Sequence, residues 1–423
     1  MKRLILITII VGMILNGCTL LSASAFTFED EPRAGDVQPP GAETLDKKEI
    51  ESAQPDDFSD SGEQGEPEEP EPEQEEVINP LTGLPVENPD NLRLPPALVS
   101  VTNFPPTARP QAGLTFSPIV FELFIGDGMT RYLALFYGDY PQAAPVANDP
   151  ESELTDGLEL PPAQVGPVRS GRIPYEYVRK LFNGFIVMAS AYSKVADQLG
   201  DYVNVFGDDQ SDVNSAMIGV EAIEAIAQDT GKELGGEMLE GMYFDPMPPE
   251  SGADAHSLWI FYAYKNQVVW RYNEDGAYHR WQDDADGTTF IEQTDRLNGE
   301  PLAYENVIVL YADHKVQKEY IIDVDLLYVK RGKALLFRDG KMHEIYWTTR
   351  SEEYEQTTGK LRPIRFIDAE GNPFPLKPGQ TWIELMPTHS PYWETVDSDK
   401  YHVRVNGRSK GSGHWGVYFK IDY

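Results

Sequence analysis

A run of glutamate and proline between residues 19 and 76 most limits where this 423-residue chain can fold. The run holds 19 acidic and 3 basic residues, with few large apolar side chains. Such a segment cannot bury enough apolar surface to offset the entropy of ordering it, and its like charges repel one another. We therefore expect a disordered acidic tether over 19–76, with folding confined to the residues that follow it.

The residues before the tether have the pattern of a bacterial export signal. Two basic residues precede an apolar run from Leu4 to Leu15, which is short for a membrane-spanning helix. Residues 15–18 (LNGC) resemble the lipobox of bacterial lipoproteins, in which the cysteine is lipidated and becomes the mature N-terminus. We predict a signal peptide over 1–18 and lipid on Cys18, which makes the membrane a partner and the location extracytoplasmic. A plain signal peptide or an uncleaved anchor is the alternative.

Charge and composition narrow the class of protein. The formal net charge of −34 argues against nucleic acid as a partner, because two polyanions repel each other. Hydrophobic residues make up 41% of the chain and aromatic residues 11%, which is enough for a sizeable core. The length suits two folded domains beyond the tether. We predict a mixed α/β (α+β) domain over 79–252 and a β-rich domain over 253–423.

Short apolar runs and helical periodicity outline the first domain. Strands are predicted over residues 96–103, 119–123, 131–136 and 185–191, and helices over residues 174–185 and 214–228. Gly126-Asp127-Gly128 is a turn signal that joins the second and third strands in a hairpin. Residues 138–164 are rich in proline and aspartate and predict a long surface loop.

The second domain has a different pattern, in which short aromatic or β-branched runs alternate with turns. Strands are predicted over residues 258–264, 268–272, 307–311, 321–329, 334–337, 345–348, 382–385 and 417–421. No repeat of fixed period is visible. The second domain is therefore expected to be mostly β-sheet.

Three glycine-flanked segments carry arginine beside a predicted strand or helix: they contain Arg109, Arg131, and the pair Arg169 and Arg172. Ser170 lies inside the pair, just ahead of a predicted helix, where unpaired backbone N–H groups attract anions. Two guanidinium groups can also bind a phosphate or carboxylate through paired hydrogen bonds. We predict that these five residues line one anion-binding site.

The same arginines have a purely structural interpretation. Arg169 and Arg172 could cap the helix, with one of them paired to Glu122 or Glu176 and the other solvated. Glu122 and Arg131 are expected to face one another across the predicted hairpin, and a cross-strand ion pair is the alternative for Arg131. The residues leave both interpretations open.

Candidates for catalysis are few. Glu122 and His256 are the side chains that could act as a general base. The seven histidines show no metal-ligand spacing and no phosphate-binding glycine motif is present, so neither a metal nor a cofactor is expected. Cys18 is the only cysteine and belongs to the anchor, which excludes a cysteine nucleophile and a disulfide within the chain.

Several motifs occur in an order that resembles a known family. The segments are 79–83 (NPLTG), 108–114 (ARPQAGL), 130–136 (TRYLALF), 165–170 (VGPVRS), 332–337 (GKALLF) and 377–383 (KPGQTWI). They are similar to the YerB-like family of bacterial lipoproteins, the last two to its separate C-terminal domain. The resemblance covers roughly 79–387 and implies a two-domain lipoprotein. It implies no reaction, because the family's function is unknown.

Three hypotheses about function follow. The first is a binding or scaffold lipoprotein of the cell envelope that holds an anionic ligand, such as a phosphorylated glycan or a peptidoglycan carboxylate, and recruits a cell-wall protein. The alternative is an enzyme acting on such a ligand, with Glu122 or His256 as base and the arginines stabilising developing charge. In the third, the arginines are structural and the surface binds only protein. A base within hydrogen-bond reach of the arginines would distinguish the enzyme hypothesis from the other two.

Overall fold

The computed structural model describes residues 76–142, 163–209, 212, 214–234, 238–318, 321–396 and 408–422. They belong to one unit that runs from Pro72 to Tyr423. The predicted signal peptide, Cys18 and the acidic tether lie outside the described residues, as does most of the predicted loop over 138–164.

The first part of the described chain alternates strands with three helices. Its strands are β1 (Ala97–Thr102), β2 (Ile119–Gly126), β3 (Met129–Phe136), β4 (Gln164–Val165), β5 (Phe185–Met188), β6 (Tyr202–Asn204) and β7 (Ile218–Gly219). Its helices are α1 (Ile173–Phe182), α2 (Ser193–Ala196) and α3 (Val220–Leu234), and short 3-10 helices span Pro89–Arg93, Pro106–Ala108 and Leu114–Phe116.

The remainder of the described chain is almost entirely strand. It contains β8 (Ala253–Asp254), β9 (Ser257–Ala263), β10 (Asn266–Tyr272), β11 (Tyr278–Asp283), β12 (Phe290–Glu292), β13 (Ala303–Tyr304), β14 (Asn306–Ala312), β15 (His314–Lys318), β16 (Ile321–Val324), β17 (Gly332–Arg338), β18 (Lys341–Thr348), β19 (Arg365–Ile367), β20 (Thr381–Pro387), β21 (Tyr392–Glu394) and β22 (His414–Tyr418). One helix, α4 (Glu352–Thr358), interrupts them. The prediction of a β-rich C-terminal region is confirmed.

Two sheets hold most of the strands. The larger has eleven strands, ten of them in the order β19-β18-β17-β14-β20-β2-β3-β1-β5-β6, with β8 beside β18. The smaller has seven strands, six of them in the order β12-β11-β10-β9-β22-β21, with β13 beside β11. Two small sheets pair β15 with β16 and β4 with β7. Because most of the described residues with regular structure are in strands, the mixed α/β class predicted for the first part has only loose support.

The larger sheet is built from both halves of the chain. Strand β20 lies between β2 and β14 and is parallel to both, so that Ile119 and Asn306 are both opposite Thr381. Every residue of β20 is buried, as expected for a central parallel strand. The two predicted domains therefore contribute strands to one continuous sheet.

Each face of the larger sheet is covered by a different layer. On one face, Val99, Val120 and Tyr132 pack against side chains of the smaller sheet such as Ile260 and Trp270. The opposite face carries Leu123, Leu133 and Ile186, which pack against α1 through Tyr175, Val178 and Phe182. Successive side chains of a strand point to opposite faces of the sheet. Alternate residues of each strand therefore pack against the same layer.

The local elements follow their sequence signals with small differences. Helix α1 has Pro174 in its first turn, where the missing N–H is not needed. The helix is terminated by Asn183, whose φ of 50° is left-handed. Helix α3 begins at Val220 rather than at residue 214, because Ile218 and Gly219 pair with β4 instead. The apolar run over 321–329 forms a strand only as far as Val324.

Candidate functional site

Arg131 lies on the face of the larger sheet that α1 covers. Leu123 of β2 is opposite Arg131, while Glu122 is opposite Tyr132. The predicted Glu122–Arg131 pair is therefore wrong, and a bulge explains why. The β2–β3 register shifts between Phe124 and Gly126, and a one-residue shift sends a side chain to the other face.

The loop before α1 brings Arg169 and Arg172 to the same face. The amide N–H of Arg169 donates to Ser100 O of β1 at 2.8 Å, and the Arg169 carbonyl accepts Ala189 N at 2.9 Å, just after β5. The loop thus crosses the carboxyl ends of two parallel neighbouring strands. Gly171 packs closely there, since a Cβ at this position would lie 2.4 Å from Met188 Sδ and would require that side chain to move.

Two guanidinium groups converge on one serine. Arg131 Nη1 donates to Ser170 O at 2.9 Å, and Arg172 Nη1 donates to the same oxygen at 3.2 Å. Both nitrogens also lie 3.3 Å from Ser170 Oγ. We call Arg131, Arg169, Ser170 and Arg172 the arginine cluster. Arg169 completes it electrostatically, since its charge acts on both Arg131 and Arg172.

The cluster holds like charges with no carboxylate partner among the described residues. Burial, and then the charges of Arg172 and Arg169, lower the pKa of Arg131 to about 9. Burial also lowers the pKa of Arg172, with a further contribution from Arg169. Arg131 is 6% exposed, and all three Nε atoms are buried without a hydrogen-bond partner. Arg131 nevertheless stays protonated at neutral pH, so positive charge accumulates here.

Glu122 and Glu176, which the structural interpretation pairs with Arg169 or Arg172, form ion pairs with other residues. Glu176 binds Arg179 through two hydrogen bonds of 2.8 and 2.9 Å, and also pairs with Lys180. Glu122 pairs with Arg280 on the opposite face of the sheet. Neither carboxylate forms an ion pair with Arg169 or Arg172. The helix-capping interpretation therefore lacks the ion pair that it predicts.

Arg109 does not join the cluster. Its Nη1 donates to Asp283 O at 2.8 Å and its Nε to Asn103 Oδ1 at 3.2 Å. Its guanidinium also stacks over the Phe104 ring at 5.0 Å from the centroid. Burial lowers its pKa, and the charges that act on it belong to the Glu122 and Arg280 side of the sheet. Two of the three arginine segments meet, and the third belongs to the other layer.

Glu122 is part of a buried network between the two sheets. Arg280 Nη2 donates to Glu122 Oε2 at 2.8 Å, and Thr130 Oγ1 donates to Glu122 Oε1 at 2.6 Å. Glu384 is opposite Glu122 in the neighbouring strand and accepts from Tyr262 OH at 2.6 Å and Trp270 Nε1 at 2.9 Å. Both carboxylates and the guanidinium are fully buried. Glu122 is thus a core residue, out of reach of the arginine cluster.

Glu384 provides a pH prediction. Burial, and then the charge of Glu122, raise the pKa of Glu384 from 4.5 to about 8. The folded state therefore keeps a proton that the unfolded chain releases. The contribution to stability is complete below about pH 4.5 and is lost as the pH rises to about 8.

Glu384→Gln copies the protonated carboxyl group and is expected to remove this loss. Urea unfolding of parent and variant on either side of the range measures the effect. The variant should gain stability relative to the parent as the pH rises. An equal decline in both proteins contradicts a proton held by Glu384 in the folded state.

His256 lies away from the cluster. It is exposed, it precedes β9, and its ring is 5.8 Å from that of His414. The other end of β9 approaches the β2–β3 turn, where Gly128 contacts Ala263. Of the two predicted bases, therefore, neither Glu122 nor His256 lies beside the arginine cluster.

The chain matches two models of one family. Residues 81–225 match the description "Protein of unknown function (DUF3048) N-terminal domain", and residues 258–383 match the C-terminal domain of the same family. The chain belongs to this two-domain family of unknown function. The resemblance drawn from the sequence motifs is confirmed.

A relative and a solved structure carry the same name. "Putative lipoprotein YerB" of Bacillus subtilis (strain 168) is 28% identical over 326 residues, which is 73% of this chain and 86% of the relative. The crystal structure of YerB protein from Bacillus subtilis matches with a TM-score of 0.55 and 26% identity, over 74% of this chain and 97% of that chain. Neither name states a reaction or a ligand. Among the described helices, none has the length and apolar character to cross a membrane.

Proposed function

We propose that this chain is a lipid-anchored extracytoplasmic protein that binds an anionic ligand through Arg131, Arg169, Ser170 and Arg172. The observation that carries the proposal is the meeting of positive side chains on Ser170 without a carboxylate among the described residues. Gathering buried like charges costs folding free energy, which a bound anion would recover. Arg109 is not part of the proposed site.

The proposed location rests on two observations. The relative from Bacillus subtilis is named a lipoprotein, and a lipoprotein is anchored outside the cytoplasmic membrane. Residues 15–18 of this chain resemble a lipobox, with Cys18 as the lipidated residue. The ligand would therefore be an envelope component that carries phosphate or carboxylate. A cell-wall protein partner stays a prediction.

A binding role has more support than catalysis. An enzyme would need a base within hydrogen-bond reach of the bound anion. Glu122 faces the other layer and is neutralised by Arg280. His256 precedes β9, at the end of that strand remote from the β2–β3 turn. Binding needs only the guanidinium groups themselves.

Thermal unfolding of the Pro72–Tyr423 unit with inorganic phosphate and pyrophosphate tests the proposal. Ligand at about 100 times its Kd should add about 2.7 kcal/mol to the unfolding free energy. Sodium chloride at equal ionic strength controls for charge screening. Arg172→Gln should abolish the added stability.

The same variant separates a binding role from a structural one. Without ligand, Arg172→Gln should change the unfolding free energy by less than about 1 kcal/mol, because lost backbone hydrogen bonds and relieved repulsion offset each other. Arg271→Gln, on β10, is the matched control and should keep the ligand effect. Stabilisation that persists in Arg172→Gln, or an unliganded variant that melts far below the parent, would sink the proposal.

A further inference from the structure

A cleft of about 250 Å³ has Arg169 in its lining. Its walls come from the loop after β5, the loop after β6 and the segment before β7. The lining residues are Val168, Arg169, Ala189, Ser190, Val205, Phe206, Gly207, Asp209, Asp212, Ser215 and Ala216. Arg169, one member of the arginine cluster, therefore belongs to the lining of a groove with room for more than a phosphate group.

Backbone contacts shape the described part of this cleft. Ser215 Oγ lies 2.7 and 2.9 Å from the carbonyl oxygens of Asp209 and Asp212, so that its single proton is shared between two acceptors of the same turn. Gly207 permits this approach, because a Cβ there would lie 1.7 Å from Ser215 Oγ. The Asp212 carboxylate is oriented by the amide N–H of Asn214, 2.8 Å from its Oδ1.

The lining combines polar acceptors with one exposed ring. The carboxylate of Asp212 and the hydroxyl of Ser190 offer acceptors for O–H donors. Phe206 is 68% exposed, although a ring of this size is normally buried in a core. The C–H groups of a pyranose form an apolar face that such a ring can cover, while its hydroxyls donate to carboxylates.

Charge limits what can extend from the cluster into the cleft. Arg169 lines the cleft together with Asp209 and Asp212. A polyanionic chain would meet repulsion from these carboxylates. A group that is uncharged and rich in hydroxyls, attached to a single terminal phosphate, avoids this repulsion.

We infer that the ligand is a phosphorylated sugar, with its phosphate on the arginine cluster and its sugar ring in the cleft against Phe206. This inference rests on the proposed function and adds the identity of the group attached to the anion. It predicts that a sugar monophosphate binds more tightly than inorganic phosphate.

Isothermal titration of the Pro72–Tyr423 unit tests this order of affinity. The probes are inorganic phosphate, a panel of hexose and N-acetylhexosamine monophosphates, and the corresponding free sugars. At least one sugar phosphate should bind about tenfold or more tightly than inorganic phosphate. Phe206→Ala should remove that advantage while leaving the affinity for inorganic phosphate unchanged. Tyr202→Ala, an exposed ring on β6 outside the cleft lining, is the matched control and should change neither affinity.

The outcomes separate this inference from the proposed function. Phosphate binding with no gain from any sugar, or a gain that survives Phe206→Ala, overturns the sugar assignment and leaves the anion site standing. Absence of binding by both inorganic phosphate and every sugar phosphate overturns the anion site and the sugar assignment together. A sugar that binds equally well with and without phosphate also overturns the inference, because it then needs no arginine cluster.

Discussion

Arg280→Met is expected to destabilise the fold by about 3–5 kcal/mol, because removal of one partner leaves buried charge unpaired. Arg280 is fully buried between the two sheets and neutralises Glu122 through a 2.8 Å hydrogen bond. Its guanidinium also lies over the rings of Trp382 and Tyr132, at 4.9 and 5.2 Å from their centroids. Methionine keeps much of the side-chain volume, so loss of charge dominates the effect. Chemical denaturation at neutral pH measures it.

Two further variants control this prediction. Arg271→Met, on the adjacent strand, has a partly exposed side chain and should cost less than about 1 kcal/mol. Adding Glu122→Gln to Arg280→Met should recover part of the loss, because one unpaired carboxylate is removed. A loss in Arg280→Met no larger than that in Arg271→Met contradicts the assigned role of the network.

Residues 77–252 produced alone are expected to remain unfolded. Strand β2 would lose β20, and Val99, Val120 and Tyr132 would lose the smaller sheet that covers them. Each such side chain contributes about 2 kcal/mol by burial, so a handful equals the 5–15 kcal/mol of net stability that is typical of a folded protein. Near-ultraviolet circular dichroism and amide chemical-shift dispersion measure the result.

The Pro72–Tyr423 unit is the control and should give a cooperative unfolding transition. Adding residues 253–423 as a separate chain should restore structure to the first fragment, because β20 can then pair with β2. A fragment of residues 77–252 that unfolds cooperatively by itself contradicts a sheet that depends on both halves.

Local elements could be predicted from the sequence because their signals are local. Helix α1 followed from Tyr175, Val178 and Phe182 at helical spacing, with Pro174 in its first turn. The β2–β3 hairpin followed from two apolar runs around Gly126 and Gly128. Both elements depend on contacts within a few residues, which a single sequence can reveal.

Long-range pairing and strand parity could not be predicted. Strand β20 inserts beside β2, although more than two hundred residues separate them, and no local pattern specifies that partner. The bulge before Gly126 sends Glu122 and Arg131 to opposite faces, which a regular alternation would not do. Arg109 reaches the second layer through a hydrogen bond to Asp283 O, 174 residues away in the sequence, which no local pattern specifies.

The sequence indicates the arginine cluster more clearly than the buried network around Glu122. Arg169 and Arg172 flank Ser170 just before a helix, which is a local signal of an anion site, and the structure brings Arg131 to the same serine. The sequence does not reveal that Arg280 pairs with Glu122 or that Glu384 lies opposite it. The one sequence signal of this network is Glu384, a single glutamate within the apolar run of β20, because a buried carboxylate requires a partner.

Anomalous diffraction from a tungstate-soaked crystal of the Pro72–Tyr423 unit is the most direct test of the proposed anion site. Tungstate has the charge and tetrahedral shape of a phosphate dianion, and its metal can be located without ambiguity. We predict a peak in contact with the guanidinium groups of Arg131, Arg169 and Arg172, which disappears when excess phosphate is added. A crystal whose peaks all lie away from these three arginines, or whose peak there resists phosphate, contradicts the anion site.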